Sequence, residues 1–212
     1  MFQKVLIAED QSSIHQGLEK TLGDLSIKEV DMAQYCDDAL LKIKAALKNN
    51  HPFELLITDL SFKEDHRQRT LTSGEALIEA VQKIQPELKI IVFSVEHRIG
   101  KIRTLLDGYK VDGYVEKGRE KSKDIQKAIA TILNGNVYSS HGITQMLRSS
   151  DDLTETDEYD TLMLQLLAKG MQQPQIADYF KERNLPASSL SSIEKRLNKL
   201  KVLFNAKTLL NW

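Results

Sequence analysis

The sequence predicts two units: a doubly wound α/β domain with five parallel strands, then a small all-helical domain. Three observations carry this. Short apolar runs recur between segments of helical periodicity, as they do when strands are buried on both faces and joined by crossover helices. Four of these runs end on charged or hydroxyl residues: Val5-Leu6-Ile7-Ala8 into Glu9-Asp10, residues 53–58 into Asp59, Ile90-Ile91-Val92-Phe93 into Ser94, and Gly113-Tyr114-Val115-Glu116 into Lys117. Beyond the polar stretch Ser149-Ser150-Asp151-Asp152 no strand-like run is read and every periodic segment is helical. A chain of 212 residues is long for one ordinary domain and comfortable for two.

In order, the pattern predicts a strand at 4–8, a helix from Ser12 to Leu22 with Ser12 as its cap, a strand near Val30–Met32 and a helix Asp37–Lys48 closed by Asn49-Asn50-His51-Pro52. A strand follows at 53–58, then a helix Gly74–Ile84 ahead of Pro86, a strand at 89–93 and a helix at 98–106. The last pair is a strand at 113–116 and a helix Asp124–Leu133, ended by Asn134-Gly135-Asn136. A short helix at 141–148 precedes the linker. The helical unit comprises Asp157–Lys169 stopping at Gly170, a short helix Gln173–Phe180, a third from near Ala187 to Lys201, and a closing segment at 206–210. Two short helices joined by a turn, the second amphipathic with a basic face, outline a helix-turn-helix. The expected domains are 1–134, a linker with a short helix at 135–153, and 154–212.

Composition narrows the chemistry. The net charge of −1 gives no global pull toward nucleic acid, so such binding has to come from a local face. Cys36 is the only cysteine and the five histidines are far apart, which argues against a disulfide framework and against zinc. Cys36 reads as a small hydrophobe and His15 as an exposed helix residue. The absence of a run of about 18 apolar residues, and a start that leads directly into a strand, point to a cytoplasmic protein with no membrane partner.

In a doubly wound sheet, neighbouring strand ends open onto one crevice, so Glu9, Asp10, Asp59, Ser94 and Lys117 are expected to converge. Three carboxylates there repel one another until a hard cation relieves them. Mg²⁺ suits Glu9, Asp10, Asp59 and the backbone carbonyl just after Asp59, at Ser61. A carboxylate can also act as a nucleophile toward phosphorus, with Asp59 the acceptor, Lys117 the fixed cation and Ser94 a hydroxyl donor. Singly, each residue has an ordinary reading: Asp59 and Ser94 as turn formers, Tyr114 as a packed core aromatic, Lys117 as a surface charge.

Taken together these residues resemble the receiver domains of bacterial two-component response regulators, over residues 1 to about 134. The resemblance implies a flavodoxin-like receiver in which Asp59 takes a phosphoryl group from a histidine kinase or phosphotransfer protein. It also implies that Ser94 turns toward the phosphate and that Tyr114, three positions before Lys117, rotates inward. The sequence departs from the pattern in lacking a Pro shortly after Asp59, in a loop at 61–73 about seven residues longer than typical, and in branched Val95 after Ser94.

On the third helix of the C-terminal unit, Leu190, Ile193, Leu197 and Leu200 share one stripe, with Ser188, Ser191, Ser192, Lys195 and Lys199 opposite. The segment resembles the DNA-binding domain of the NarL/LuxR class through Leu166-Leu167-Ala168-Lys169-Gly170-Met171, Ile176-Ala177 and Asn198-Lys199-Leu200-Lys201-Val202. That implies a non-enzymatic transcription regulator binding double-stranded DNA as a homodimer, with those serines and lysines at the DNA. The alternative is a receiver whose output is protein interaction or needs no phosphorylation. An aspartyl-phosphate hydrolase is disfavoured, because no acidic residue stands two positions after Asp59.

Overall fold

The computed structural model describes residues 1–63, 70–118, 120–154, 158–185 and 188–203. The chain divides into two compact units, Met1–Thr144 and Gln145–Trp212.

The first unit alternates β1 (Lys4–Ala8), α1 (Ser12–Asp24), β2 (Glu29–Ala33), α2 (Cys36–Lys48), β3 (Leu55–Thr58), α3 (Gly74–Ile84), β4 (Lys89–Ser94), α4 (Ile99–Arg103), β5 (Gly113–Glu116) and α5 (Lys121–Leu133). A sixth strand, β6 (Tyr138–Ser139), completes a sheet of order β2-β1-β3-β4-β5-β6, parallel throughout. β1 from Val5 and all of β3 are buried, the signature of central strands covered on both faces. Connections leave β1 toward opposite edges, so the crevice between the ends of β1 and β3 is the switch point of the sheet.

Five strands were expected and six are found. Tyr138 and Ser139 are too few to show any periodicity, and their pairing with Gly113 and Tyr114 is a tertiary event. The segment 135–153, expected as a linker with a helix at 141–148, holds β6 and a longer helix, α6 (His141–Thr154); the polar stretch 149–152 is helical. Ser12 is the first helical residue, not the cap: Gln11 holds that position and makes no side-chain capping bond. The helix expected at 98–106 is α-helical only over Ile99–Arg103 and continues as a π-turn, Thr104–Gly108. The Tyr109 N–H donates to the Thr104 carbonyl there, while Leu105 and Val111 remain buried. His15, expected exposed, is buried on α1 within hydrogen-bonding reach of the Glu9 backbone, and desolvation lowers its pKa. Cys36 is buried as expected.

The second unit contains α7 (Glu158–Ala168), α8 (Gln173–Glu182) and α9 (Leu190–Leu203). Its core joins Met163, Ile176, Phe180, Ile193, Leu197 and Leu200, with the Tyr159 and Phe180 rings 4.5 Å apart. Gly170, at φ +85°, turns the chain out of α7 in a left-handed conformation that a side chain disfavours. The closing segment expected at 206–210 and Pro186 lie outside the described residues. No helix among the described residues is long and apolar enough to cross a membrane.

Candidate functional site

The residues of the crevice follow the ends of four strands: Glu9 and Asp10 after β1, Asp59 after β3, Ser94 closing β4 and Lys117 after β5. Asp59, at the end of β3, is 5% exposed, and both its carboxylate oxygens are engaged. Oδ1 accepts from the Leu60 N–H at 2.7 Å, and Oδ2 accepts from Lys117 Nζ at 2.7 Å. Lys117 follows β5, and its own N–H donates to the Ser94 carbonyl at 2.9 Å, which ties the cation to the end of β4. Its ammonium also lies 2.6 Å from Glu9 Oε2 and over the Phe93 ring. Glu9 is buried, and its pKa is raised, chiefly by the loss of hydration and further by the Asp59 charge, against the lowering by its hydrogen bond and attraction to Lys117.

Asp10, beside Glu9, turns outward to the long loop: its Oδ2 accepts from the Lys63 N–H at 2.7 Å. The far end of that loop is fixed by Asp37 at the start of α2, whose carboxylate accepts from Thr70 N–H at 2.9 Å and Leu71 N–H at 3.1 Å. The insertion therefore has two carboxylate anchors, neither of them foreseen: Asp10 was expected only as a metal ligand, and both carboxylates lie far from the loop along the chain.

Ser94 is buried at the end of β4, and its Oγ accepts from the Glu96 N–H at 3.4 Å. Tyr114 is fully buried and its hydroxyl donates to the Glu96 carbonyl at 2.7 Å; burial, then the Glu96 charge, raises its pKa. The aromatic thus has its ring inside the unit and its hydroxyl at the β4–α4 loop. Glu96 organises that loop: Arg98 pairs with it at 2.5 Å and Lys101 at 3.7 Å, and chiefly the Arg98 hydrogen bonds bring its pKa down to about 2. Val95 is exposed beside this loop.

Glu9 and Asp59 flank the one ammonium, with Asp10 beside them on the Lys63 N–H, and carboxylate oxygens are the donor type a hard divalent cation takes. Among the described residues no three acidic, histidine or cysteine side chains are grouped about a single metal position. Lys117 stands between Glu9 and Asp59 instead.

In the second unit, Ile193, Leu197 and Leu200 are buried as the helical wheel requires, but Leu190 is 42% exposed. It occupies the first position of α9, before the stripe meets α7 and α8. Ser191 and Lys195 are exposed, and Ser188, Ser192 and Lys199 are half-buried. Ser189, absent from the expected set, gathers the others: its Oγ lies 2.7 Å from Ser192 Oγ and 3.2 Å from Ser191 Oγ, and accepts from the Ser192 N–H. Arg196 is turned inward. It makes paired hydrogen bonds to buried Asp160 on α7 and stacks over Tyr159 at 4.9 Å, so it fixes α9 against α7. Neither partner signals this in the sequence, where each reads as a surface charge.

No family model and no curated protein matches the chain. Solved structures do. A structure of the RcsB response regulator of Salmonella typhimurium is similar over 99% of this chain and 96% of its own, at 23% identity and a TM-score of 0.63. A structure of two RcsB dimers bound to two parallel DNAs is similar over the same shares, at 23% identity and a TM-score of 0.57. The isolated receiver domain of RcsB from Salmonella enterica serovar Typhimurium, with the phosphomimetic BeF3−, covers 68% of this chain and 98% of its own at 25% identity and a TM-score of 0.54. The fold is therefore a flavodoxin-like receiver followed by a helical unit, as the resemblance implied.

Proposed function

We propose that this protein is a two-component response regulator, in which Asp59 accepts a phosphoryl group and the C-terminal unit regulates transcription by binding DNA. The observation that carries this is the placement of Asp59, with Lys117, Glu9 and Ser94, on four adjoining strand ends. A carboxylate oxygen of Asp59 attacks the phosphorus of a phosphohistidine on a histidine kinase or phosphotransfer protein. The P–N bond breaks with its electron pair going to the imidazole, and an acyl phosphate forms. Lys117 compensates the charge on the transferred oxygens, and the Ser94 hydroxyl donates to one of them. Mg²⁺, held by Glu9, Asp10, Asp59 and the Ser61 carbonyl, would supply the remaining charge neutralisation. The role is regulatory rather than enzymatic and is set in the cytoplasm, where such a kinase delivers its phosphate.

The DNA reading is supported by the seating of α9, which buries Ile193, Leu197 and Leu200 and leaves Ser191 and Lys195 exposed, with Ser188, Ser192 and Lys199 alongside. It is supported also by the likeness to RcsB dimers on DNA, from which a homodimer on double-stranded DNA is inferred here. A domain division of receiver 1–134, linker 135–153 and DNA-binding domain 154–212 goes with it. An output that needs no phosphorylation is favoured by one observation: Asp59 is nearly enclosed, with both oxygens held by protein donors.

One experiment tests both. With acetyl phosphate and Mg²⁺, the full chain should gain a single base-labile phosphate, lost in Asp59→Asn, and a gel shift on promoter DNA should strengthen with labelling. Full labelling of the Asn variant would remove Asp59 from the role. Equal DNA binding with and without labelling would select the phosphorylation-independent reading.

A further inference from the structure

We propose that Ser140 is a positioning residue of the phosphoacceptor site, and that through it β6 and α6 report the state of Asp59 to the rest of the chain; this rests on the phosphoacceptor reading above. A two-residue strand has little pairing strength of its own, so what secures β6 shows what it is for. The Tyr138 N–H donates to the Asp112 carbonyl and the Ser140 N–H to the Tyr114 carbonyl, each at 3.0 Å. The Tyr138 hydroxyl donates to Asp124 Oδ1 on α5 at 2.9 Å. In the return direction, the Glu116 N–H donates to Ser140 Oγ at 3.0 Å. Ser140 directly precedes α6, where serine ordinarily accepts from its own helix; here the hydroxyl accepts across the sheet, and the residue is 2% exposed.

The end of β5 is thus held from both edges by successive peptides: Glu116 N–H by Ser140 on one side, Lys117 N–H by the Ser94 carbonyl on the other. Lys117 is the cation on Asp59, one peptide from the Ser140 hydroxyl. The first turn of α6 is also fitted closely to this end: a Cβ on Gly142 would stand 3.2 Å from Glu116 Oε2, and Glu116 Oε1 in turn lies 3.6 Å from His97 Nε2. α6 then runs from His141 to Thr154. When a phosphoryl group on Asp59 becomes the partner of the Lys117 ammonium, any shift of the Lys117 backbone pulls on the Glu116–Ser140 bond and so on a continuous helix.

The test uses the full chain with beryllofluoride as the probe and amide hydrogen exchange as the readout. Beryllofluoride should change the protection of the Glu116 and Ser140 amides in the wild type. Ser140→Ala should speed exchange at Glu116 by roughly two- to tenfold, the range for one lost hydrogen bond. It should also abolish the beryllofluoride response at the residue 140 amide and slow labelling of Asp59 by acetyl phosphate, with Ser140→Thr restoring both. Should the alanine variant fail to fold, the wild-type response and the threonine variant decide. Labelling at the wild-type rate in a folded Ser140→Ala protein, or unchanged protection of Glu116 and Ser140 in beryllofluoride-bound wild type, overturns the positioning role alone. Failure of the wild type to take either probe overturns the phosphoacceptor reading instead.

Discussion

Gly74 opens α3 against the backbone of Asp59, and replacing it tests how tightly that backbone is fixed. A Cβ built there would lie 2.0 Å from the Asp59 carbonyl oxygen, 2.8 Å from Leu60 Cα and 2.9 Å from the Asp59 carbonyl carbon, whereas ordinary contacts begin at 3.4 Å. All three obstacles are backbone, so no rotamer change relieves them; α3 or the end of β3 has to move by more than 1 Å. Overpacking of a close-packed interior costs about 1–3 kcal/mol, and the upper end applies where backbone meets backbone. For a protein of this size each kcal/mol lowers Tm by about 2–4 °C, so Gly74→Ala should unfold roughly 6–12 °C early. Because the atom struck is the Asp59 carbonyl, the proposed labelling of that residue from acetyl phosphate should fall at least tenfold at temperatures where the variant is folded. Gly17 supplies the control: it lies within α1 with nothing within 4 Å of its Cβ position, and Gly17→Ala should stabilise by about 0.5–1 kcal/mol. Thermal unfolding by circular dichroism and a labelling time course read both variants. A Gly74→Ala protein with wild-type Tm and labelling rate would refute the packing argument.

Three further outcomes are expected. Lys195→Ala with Lys199→Ala should weaken DNA binding and flatten the slope of log K against log salt by up to about two units, since each phosphate contact contributes about 0.9; an unchanged slope would take α9 away from the DNA. Asp160→Ala leaves Arg196 without its paired hydrogen bonds and should destabilise the second unit by on the order of 3 kcal/mol, seen as a lower urea midpoint for that unit; a change below about 0.5 kcal/mol would contradict the pinning of α9 by this pair. Glu96, with a folded pKa of about 2 against the ordinary 4.5, contributes stability that is present above pH 4.5 and lost as pH falls through about 2. Glu96→Gln should therefore be less stable than wild type at pH 7, by no more than about 1 kcal/mol for so exposed a pair, with the difference shrinking below pH 4.5; a difference independent of pH would exclude the carboxylate charge as its source.

The sequence by itself determined that a doubly wound sheet precedes a helical segment, the strands of the central sheet and the residues that end those strands at the crevice. Burial on both faces forces continuous apolar runs, and the doubly wound order then obliges the polar residues ending those runs to meet. Glu9, Asp59, Ser94 and Lys117 were legible for that reason, and Ile193, Leu197 and Leu200 because a helix in contact with a core repeats with its own period. What the sequence left open depends on partners remote along the chain. β6 exists because β5 has an unpaired edge, not because Tyr138-Ser139 prefers to be extended. His15 is buried because folding brings α1 against the end of β1 at the Glu9 backbone, and Arg196 faces inward because Asp160 waits on another helix. Ser140 and Asp37 look like ordinary turn and cap residues until folding brings Glu116 and the ends of the long loop to their oxygens. Local pattern records which face of an element is buried; only the assembled tertiary structure decides which hydrogen-bonding groups arrive opposite one another, because that depends on distances closed by the whole chain.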